Sequence, residues 1–233
     1  MPDEMDRTDE AQGPPAQASK LTRTKETWAR QGKFLTGRKA RPEEDRLPPG
    51  QHLVRDWPVL DLGLQPDIPK ERWRLEVGGL VERPAELDHA AFSALPRSRV
   101  TSDIHCVTSW SRYDNAWEGL STLDLLALVV PTGEARFVRL LSYDGYTTNM
   151  RLEDFAAEDA LLADSWEGAP LSPEHGGPVR LVVPHLYFWK SAKWLKGIVF
   201  AAEDERGFWE VRGYHNHADP WREERYSDDE DQS

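Results

Sequence analysis

The chain has 233 residues, a formal net charge of −12, ten tryptophans and a single cysteine, Cys106. That length fits one large domain with tails, packing rather than internal disulfides must hold it, and the acid excess disfavours nucleic acid as a partner. Any anionic cofactor or substrate must therefore meet a local cluster of Arg, Lys and His.

Residues 1–45 combine an acidic run, Asp3 to Glu10, with a basic stretch, Arg23 to Arg41, and only Leu21, Trp28, Phe34 and Leu35 as apolar anchors. A flexible charged arm is expected there. The opening twenty residues show neither an apolar signal core nor an arginine pair, and no apolar run approaches the ~20 residues of a membrane helix. A cytoplasmic protein with no membrane span is expected. Residues 46–226 are predicted to form the domain, and 227–233 an acidic tail.

Within the domain, Trp73, Leu75 and Val77 alternate with charged neighbours, which predicts a half-buried strand ending in a turn at Gly78-Gly79. Asp88 is placed to cap a short helix carrying Ala91, Phe92 and Leu95, stopped by Pro96. Ser121-Thr122-Leu123-Asp124 resembles a capping box, opening a helix with Leu123, Leu126, Leu128 and Val130 before Pro131. Arg136 to Ser142 reads as a strand with Tyr143-Asp144-Gly145-Tyr146 as the turn at its end. Arg180 to Val183, cut by Pro184, and Ile198 to Ala202 read as further strands. Strands and short helices mix without βαβ spacing, so the predicted fold class is α+β, a sheet-rich mixed single domain with short helices.

Neither a dinucleotide fingerprint nor a Walker-type phosphate loop is present: Gly176-Gly177 precedes a strand instead of following one. One cysteine cannot supply a paired-cysteine zinc or haem site. Cys106 lies in His105-Cys106-Val107-Thr108-Ser109-Trp110-Ser111, between an extended segment and a polar, aromatic loop, and is open to two readings, a small buried apolar residue or a soft ligand. His175 and Arg180 flank a turn entering a strand, and Lys190, Ser191, Ala192 and Lys193 follow. Guanidinium and ammonium groups gathered on an acidic chain point to an anionic ligand. Near the C-terminus, His215 and His217 flank Asn216; without a Cys or Glu motif, a packed, hydrogen-bonded loop is expected in preference to a metal site.

Taken together, His105 to Ser111, Tyr143 to Thr148, His175 to Pro184 with Lys193-Trp194, and Gly213 to Trp221 resemble the molybdopterin-binding domain of the sulfite oxidase family, in its small form without extra domains. The resemblance covers roughly residues 47–225. It implies a molybdenum-pterin oxidoreductase that passes an oxygen atom to or from a small sulfur-containing substrate. It implies Cys106 as the metal's thiolate ligand, in keeping with a soft donor for a sulfur-bound metal. His175, Arg180, Ser191, Ala192 and Lys193 match positions that hold the pterin, as do Arg55 and Ser142, and Tyr143 and Tyr146 are candidates to border the metal.

The arginine pair that follows the cysteine in animal and plant sulfite oxidases is missing; Val107 to Ser111 stand there, with Arg112 one place later. Reduction of S-oxides, including oxidised methionine, is therefore an alternative within the same fold. With neither a haem motif nor a flavin fingerprint, a separate electron-transfer protein is the expected partner. Two other classes stand beside these, a cysteine nucleophile enzyme and a cofactor-free binding protein. Adjacent residues on an extended segment point oppositely, which places His105 badly as a base for Cys106.

Overall fold

A computed structural model describes residues 46–63 and 65–228; the predicted N-terminal arm and the acidic residues beyond Asp228 lie outside the described residues. The chain forms, in order, β1 (His52–Leu53), β2 (Arg74–Gly79), β3 (Ala85–Asp88), α1 (His89–Ser93), β4 (Ser98–His105), β5 (Trp110–Ser121), α2 (Thr122–Val129) and β6 (Phe137–Ser142). There follow β7 (Thr147–Arg151), α3 (Leu152–Phe155), β8 (Leu161–Trp166), β9 (Ala169–Pro170), β10 (Arg180–Val182) and β11 (Leu195–Ala201). Two mixed sheets with short helices result, which is the α+β class expected.

One sheet runs β1-β5-β8-β10, with β4 also on β5 and β9 on β8. The other runs β3-β2-β11-β6-β7. Within each, one pair is parallel, β1 with β5 and β2 with β11, and the remaining pairs are antiparallel. The chain passes from the first sheet to the second between β10 and β11. That crossing, residues 183–194, carries Lys190 and Lys193, while Arg180 opens β10 and His175 lies just before that strand.

Leu75 and Val77 face inward from β2 as their alternation predicts, and both are buried, as is Trp73 just before the strand. The glycines after them do not end the strand. Gly78 and Gly79 continue it, opposite Val199 and Phe200 of β11. Gly79 has φ +81°, and a Cβ there would stand 2.2 Å from the Phe200 carbonyl oxygen, so the strand uses glycine for a close backbone approach.

Both predicted caps form. The Asp88 side chain accepts from Ala91 N at the start of α1, and Ser121 Oγ accepts from Leu123 N at 3.1 Å at the start of α2. The buried face of α2 is Leu123, Leu125, Leu126 and Val129, a helical i, i+3 stripe. Leu128 instead turns outward at 37% exposure, and Val130 is the left-handed cap beyond the helix. The core falls into two clusters, a larger one over the second sheet and a smaller one, containing Cys106, against the first.

Candidate cofactor site

Cys106 leaves the end of β4 and opens the turn into β5. Ser109 N donates to Cys106 O at 3.0 Å and Cys106 N to Trp110 O at 2.8 Å, closing a tight loop with Ser109 at φ +71°. Gln51 braces this loop through Nε2 to Cys106 O at 3.1 Å, and Arg225 does so through Nη1 to Val107 O at 2.6 Å. The thiol is free and buried, 3.1 Å from Thr108 Oγ1. Burial pushes its pKa up; the Thr108 hydroxyl and the Arg225 charge pull the other way.

Cys106 lies on the wall of a cavity of about 250 Å³, which His175, Arg180, Ser191, Ala192, Lys193 and Tyr146 also line. Residues 69 apart in sequence, Cys106 and His175, thus share one cavity because the β4–β5 turn and the segment leading into β10 converge.

Arg180, at the first position of β10, is 2% exposed, and its guanidinium is spent on backbone: Nη1 donates to His175 O and Nη2 to Ser191 O, each at 2.8 Å. Among the described residues it has no carboxylate partner within salt-bridge distance. Burial pushes its pKa down, as expected for a cation held without a counter-charge. Its guanidinium carbon lies over the Phe188 ring at 4.3 Å and the Trp57 ring at 5.4 Å.

Lys193 Nζ donates to Glu174 O at 2.8 Å, and burial together with the Arg180 charge brings its pKa down to about 8. His175 stacks on Trp57 at 3.8 Å, with Nδ1 3.0 Å from Ser172 Oγ. Burial, with the nearby Arg180 charge, lowers its pKa. At Gly176, φ +101°, a Cβ would meet the Lys193 Cβ at 2.9 Å, so the turn closes against the lysine stem only with glycine. Ser191 Oγ accepts from Val183 N at 2.9 Å, fixing the crossing.

Three of the expected residues are not brought to the cavity wall. Tyr143 turns to β2, where its hydroxyl accepts from Arg74 N at 2.8 Å and donates to Arg74 O at 2.9 Å. Ser142 is buried at the end of β6, with an Oγ that has no hydrogen-bond partner. Arg55 is exposed, and its carbonyl accepts from Arg112 Nε at 3.1 Å. Tyr143 and Tyr146, three residues apart around the turn, separate into a strand brace and a cavity residue, and only the tertiary placement of β2 distinguishes them. His105 points away from the cavity, its Nδ1 2.8 Å from Ser111 Oγ and its ring edge-on to Trp221 at 4.8 Å. This geometry opposes a Cys106–His105 nucleophile pair.

The sequence reading left most of the aromatic wall unassigned: Trp57, Trp110, Trp189, Trp209 and Tyr214 all line the cavity. The available signal was the abundance of tryptophan around the motif segments. His215 and His217 belong to a packed loop, as expected. His217 N and Ala218 N donate to His215 Nδ1 at 3.0 and 3.1 Å, and His217 Nδ1 lies 2.7 Å from Glu224 Oε2.

The donor set fits a sulfur-bound metal carried by an anionic organic group. It comprises one soft thiol, a buried guanidinium and a half-buried ammonium that form no salt bridge among the described residues, and flat aromatic walls. Residues 62–209 match the family model for the oxidoreductase molybdopterin binding domain. The chain is similar to the uncharacterized oxidoreductase YuiH of Bacillus subtilis (strain 168), 47% identical over 189 residues, which is 79% of this chain and 94% of that protein. It is also similar to the protein-methionine-sulfoxide reductase catalytic subunit MsrP of Campylobacter jejuni, 27% identical over 158 residues, 60% of this chain and 52% of that protein. Among solved structures, the sulfane dehydrogenase SoxCD of Paracoccus pantotrophus shares the fold, with a TM-score of 0.57 at 20% identity over 67% of this chain and 46% of that one. The chain thus spans about half the length of these last two proteins.

Proposed function

The chain belongs to the oxidoreductase molybdopterin binding domain family, and from that premise we propose that it transfers an oxygen atom to or from a small sulfur-centred substrate, with Cys106 as the thiolate ligand of molybdenum. The observation that carries this reading is the placement of the one free thiol on the same cavity wall as Arg180 and Lys193, two cations that form no salt bridge among the described residues. When bound, a molybdenum-pterin group supplies two-electron redox chemistry coupled to the passage of one oxygen atom.

The protein's own residues have separable tasks. Arg180 and Lys193 supply charge for an anionic ligand such as a phosphate, and the backbone bonds of Arg180 fix its donors before the ligand arrives. His175, flat against Trp57, adds a hydrogen-bonding edge. Cys106, held protonated by burial in the ligand-free protein, must lose its proton to bind a metal, and the Thr108 hydroxyl is placed to stabilise the thiolate by donating to Sγ. The aromatic side chains exclude water from the cavity. A separate electron-transfer protein supplies or removes the electrons.

A specific observation favours S-oxide reduction over sulfite oxidation. Arg112, the one arginine shortly after Cys106, is engaged away from the cavity: it bonds to Asn115 Oδ1, lies 3.5 Å from Glu167, and covers the Trp166 ring at 4.7 Å. Among the described residues, the cavity lining holds, beside its aromatic side chains, no basic one but His175, Arg180 and Lys193, and its other charged residues, Asp61 and Asp144, are acidic. That suits a neutral S-oxide and leaves a sulfite anion without a counter-charge beyond the cations assigned to the pterin.

Cys106→Ser tests the central claim. It is expected to lower oxygen-atom transfer by roughly three orders of magnitude or more while the pterin and the molybdenum it carries stay bound, because Arg180 and Lys193 are untouched. Activity that survived the change would remove Cys106 from the metal. Wild-type protein containing neither molybdenum nor pterin, made in a host that produces both, would favour the cofactor-free alternative. Parallel assays of sulfite oxidation and sulfoxide reduction with artificial electron carriers decide the direction.

A further inference from the structure

Lys190 and Glu210 are both fully buried and face each other, Nζ to Oε1, at 2.6 Å. Withdrawing two charges from water costs several kcal/mol per ion, and a buried pair is often no more stabilising than apolar residues of the same volume. The geometry around the carboxylate suggests another role. Glu210 Oε1 also accepts from Thr148 Oγ1 at 2.7 Å and from Trp189 Nε1 at 3.0 Å, while Oε2 has no hydrogen-bond partner. Lys190 Nζ is fixed in turn by Asn149 O at 2.8 Å.

The groups held this way are part of the cavity wall. Trp189 lines the cavity, stacks on Tyr187 at 5.4 Å and meets Tyr214 edge-on at 4.9 Å. Its carbonyl accepts from the Tyr146 hydroxyl at 2.6 Å. Trp209, next in the chain to Glu210, stacks on Tyr214 at 4.9 Å. An indole offers a single N–H, so an acceptor fixed behind it determines how the ring is turned.

We propose that Glu210, clamped by Lys190, is the positioning residue for the aromatic wall of the cavity, setting the orientation of Trp189 and, through it, of Tyr214. The inference rests on reading that cavity as the cofactor and substrate site. Glu210 touches neither and acts through Trp189.

The test uses the full chain labelled with 5-fluorotryptophan, with 19F resonances assigned by Trp189→Phe and Trp73→Phe. Trp73 serves as the internal control, because its indole N–H is held by Leu195 O and not by Glu210. In Glu210→Gln the Trp189 resonance is expected to shift and broaden while that of Trp73 stays in place. The double variant Lys190→Met/Glu210→Leu leaves no buried charge unpaired, and the same selective shift is expected from it even where Glu210→Gln alone fails to fold. A Trp189 resonance that stays in place in a folded variant overturns the proposal. So does failure of both variants to fold, which would make the pair a requirement of the fold itself. This readout needs no turnover, so absence of molybdenum and pterin from the wild-type protein would overturn the function proposed above and leave the 19F result to be judged separately.

Discussion

Lys193 shows how one side chain sets the conditions for ligand capture. Its ammonium is partly withdrawn from water, lies near the Arg180 charge, and has its pKa brought down to about 8. In the ligand-free protein, therefore, Lys193 carries its charge below about pH 8 and loses it above. An anion prefers the charged form, and its own charge raises the lysine pKa in the complex. The sign follows: affinity for the pterin, or for inorganic phosphate as a simple probe, is expected to be highest below pH 8 and to fall as pH rises toward 9. Fluorescence titration of the pterin across pH 7–9 measures it. Lys193→Arg keeps its charge throughout that range and is expected to flatten the curve. Loss of one charge-assisted hydrogen bond is worth ~1.5–3 kcal/mol, and a single group titrating near 8 limits the fall between pH 7 and 9 to about ten-fold, so a drop approaching ten-fold is expected. A flat wild-type curve would detach Lys193 from the anion.

At the level of elements, the sheet holding β2 and β11 depends on a glycine whose role the sequence signals only in part. Gly79 pairs with Phe200 at φ +81°, and its missing side chain leaves room for a carbonyl 2.2 Å from where a Cβ would be. Gly79→Ala is expected to cost roughly 3 kcal/mol, lowering Tm by about 6–12 °C in a domain of this size, as read by thermal unfolding. Gly145→Ala, at a turn with φ +85° and open space around the position, should cost less, since only backbone strain is added. The sequence announced the caps Asp88 and Ser121 and the inward face of β2 because these are local patterns. It misread Gly78-Gly79 as a turn because glycine marks close approach and reversal alike, and the partner strand is about 120 residues away in the chain. The same limit explains the cavity. Cys106, His175, Arg180, Ser191, Ala192, Lys193 and Tyr146 were legible as motif positions, whereas Tyr143 was committed by a contact with Arg74, and Trp57, Trp189 and Trp209 reach the cavity through packing that no periodicity reports.

Across the whole molecule, the cavity is where pieces far apart in the chain meet. The β4–β5 turn brings Cys106, β10 brings Arg180 and the crossing after it brings Ser191 to Lys193, the segment after β1 brings Trp57, and the C-terminal region brings Trp209 and Tyr214. The C-terminal region also reaches back to the cysteine turn, since Arg225 donates to Val107 O and lies over the Tyr187 ring at 5.0 Å. A group filling this space therefore contacts both sheets and the C-terminal region at once. An anionic one relieves the desolvation of Arg180, whose pKa burial alone lowers, and adds to the attraction that Asp61, Asp144 and Glu174 already exert on Lys193. Ligand that binds the folded chain and not the unfolded one adds RT ln(1 + [L]/Kd), or about 4 kcal/mol at a thousand-fold excess over Kd. Protein loaded with the cofactor is accordingly expected to unfold roughly 8–16 °C above the same protein made in a host that lacks the pterin, as measured by calorimetry. Amide exchange should slow together in residues 104–111, 175–194 and 209–214, because one ligand closes all three. Protection confined to a single one of these segments would mean that the cavity does not act as a common site. An unchanged Tm in protein shown to contain pterin would mean that the pterin is held elsewhere.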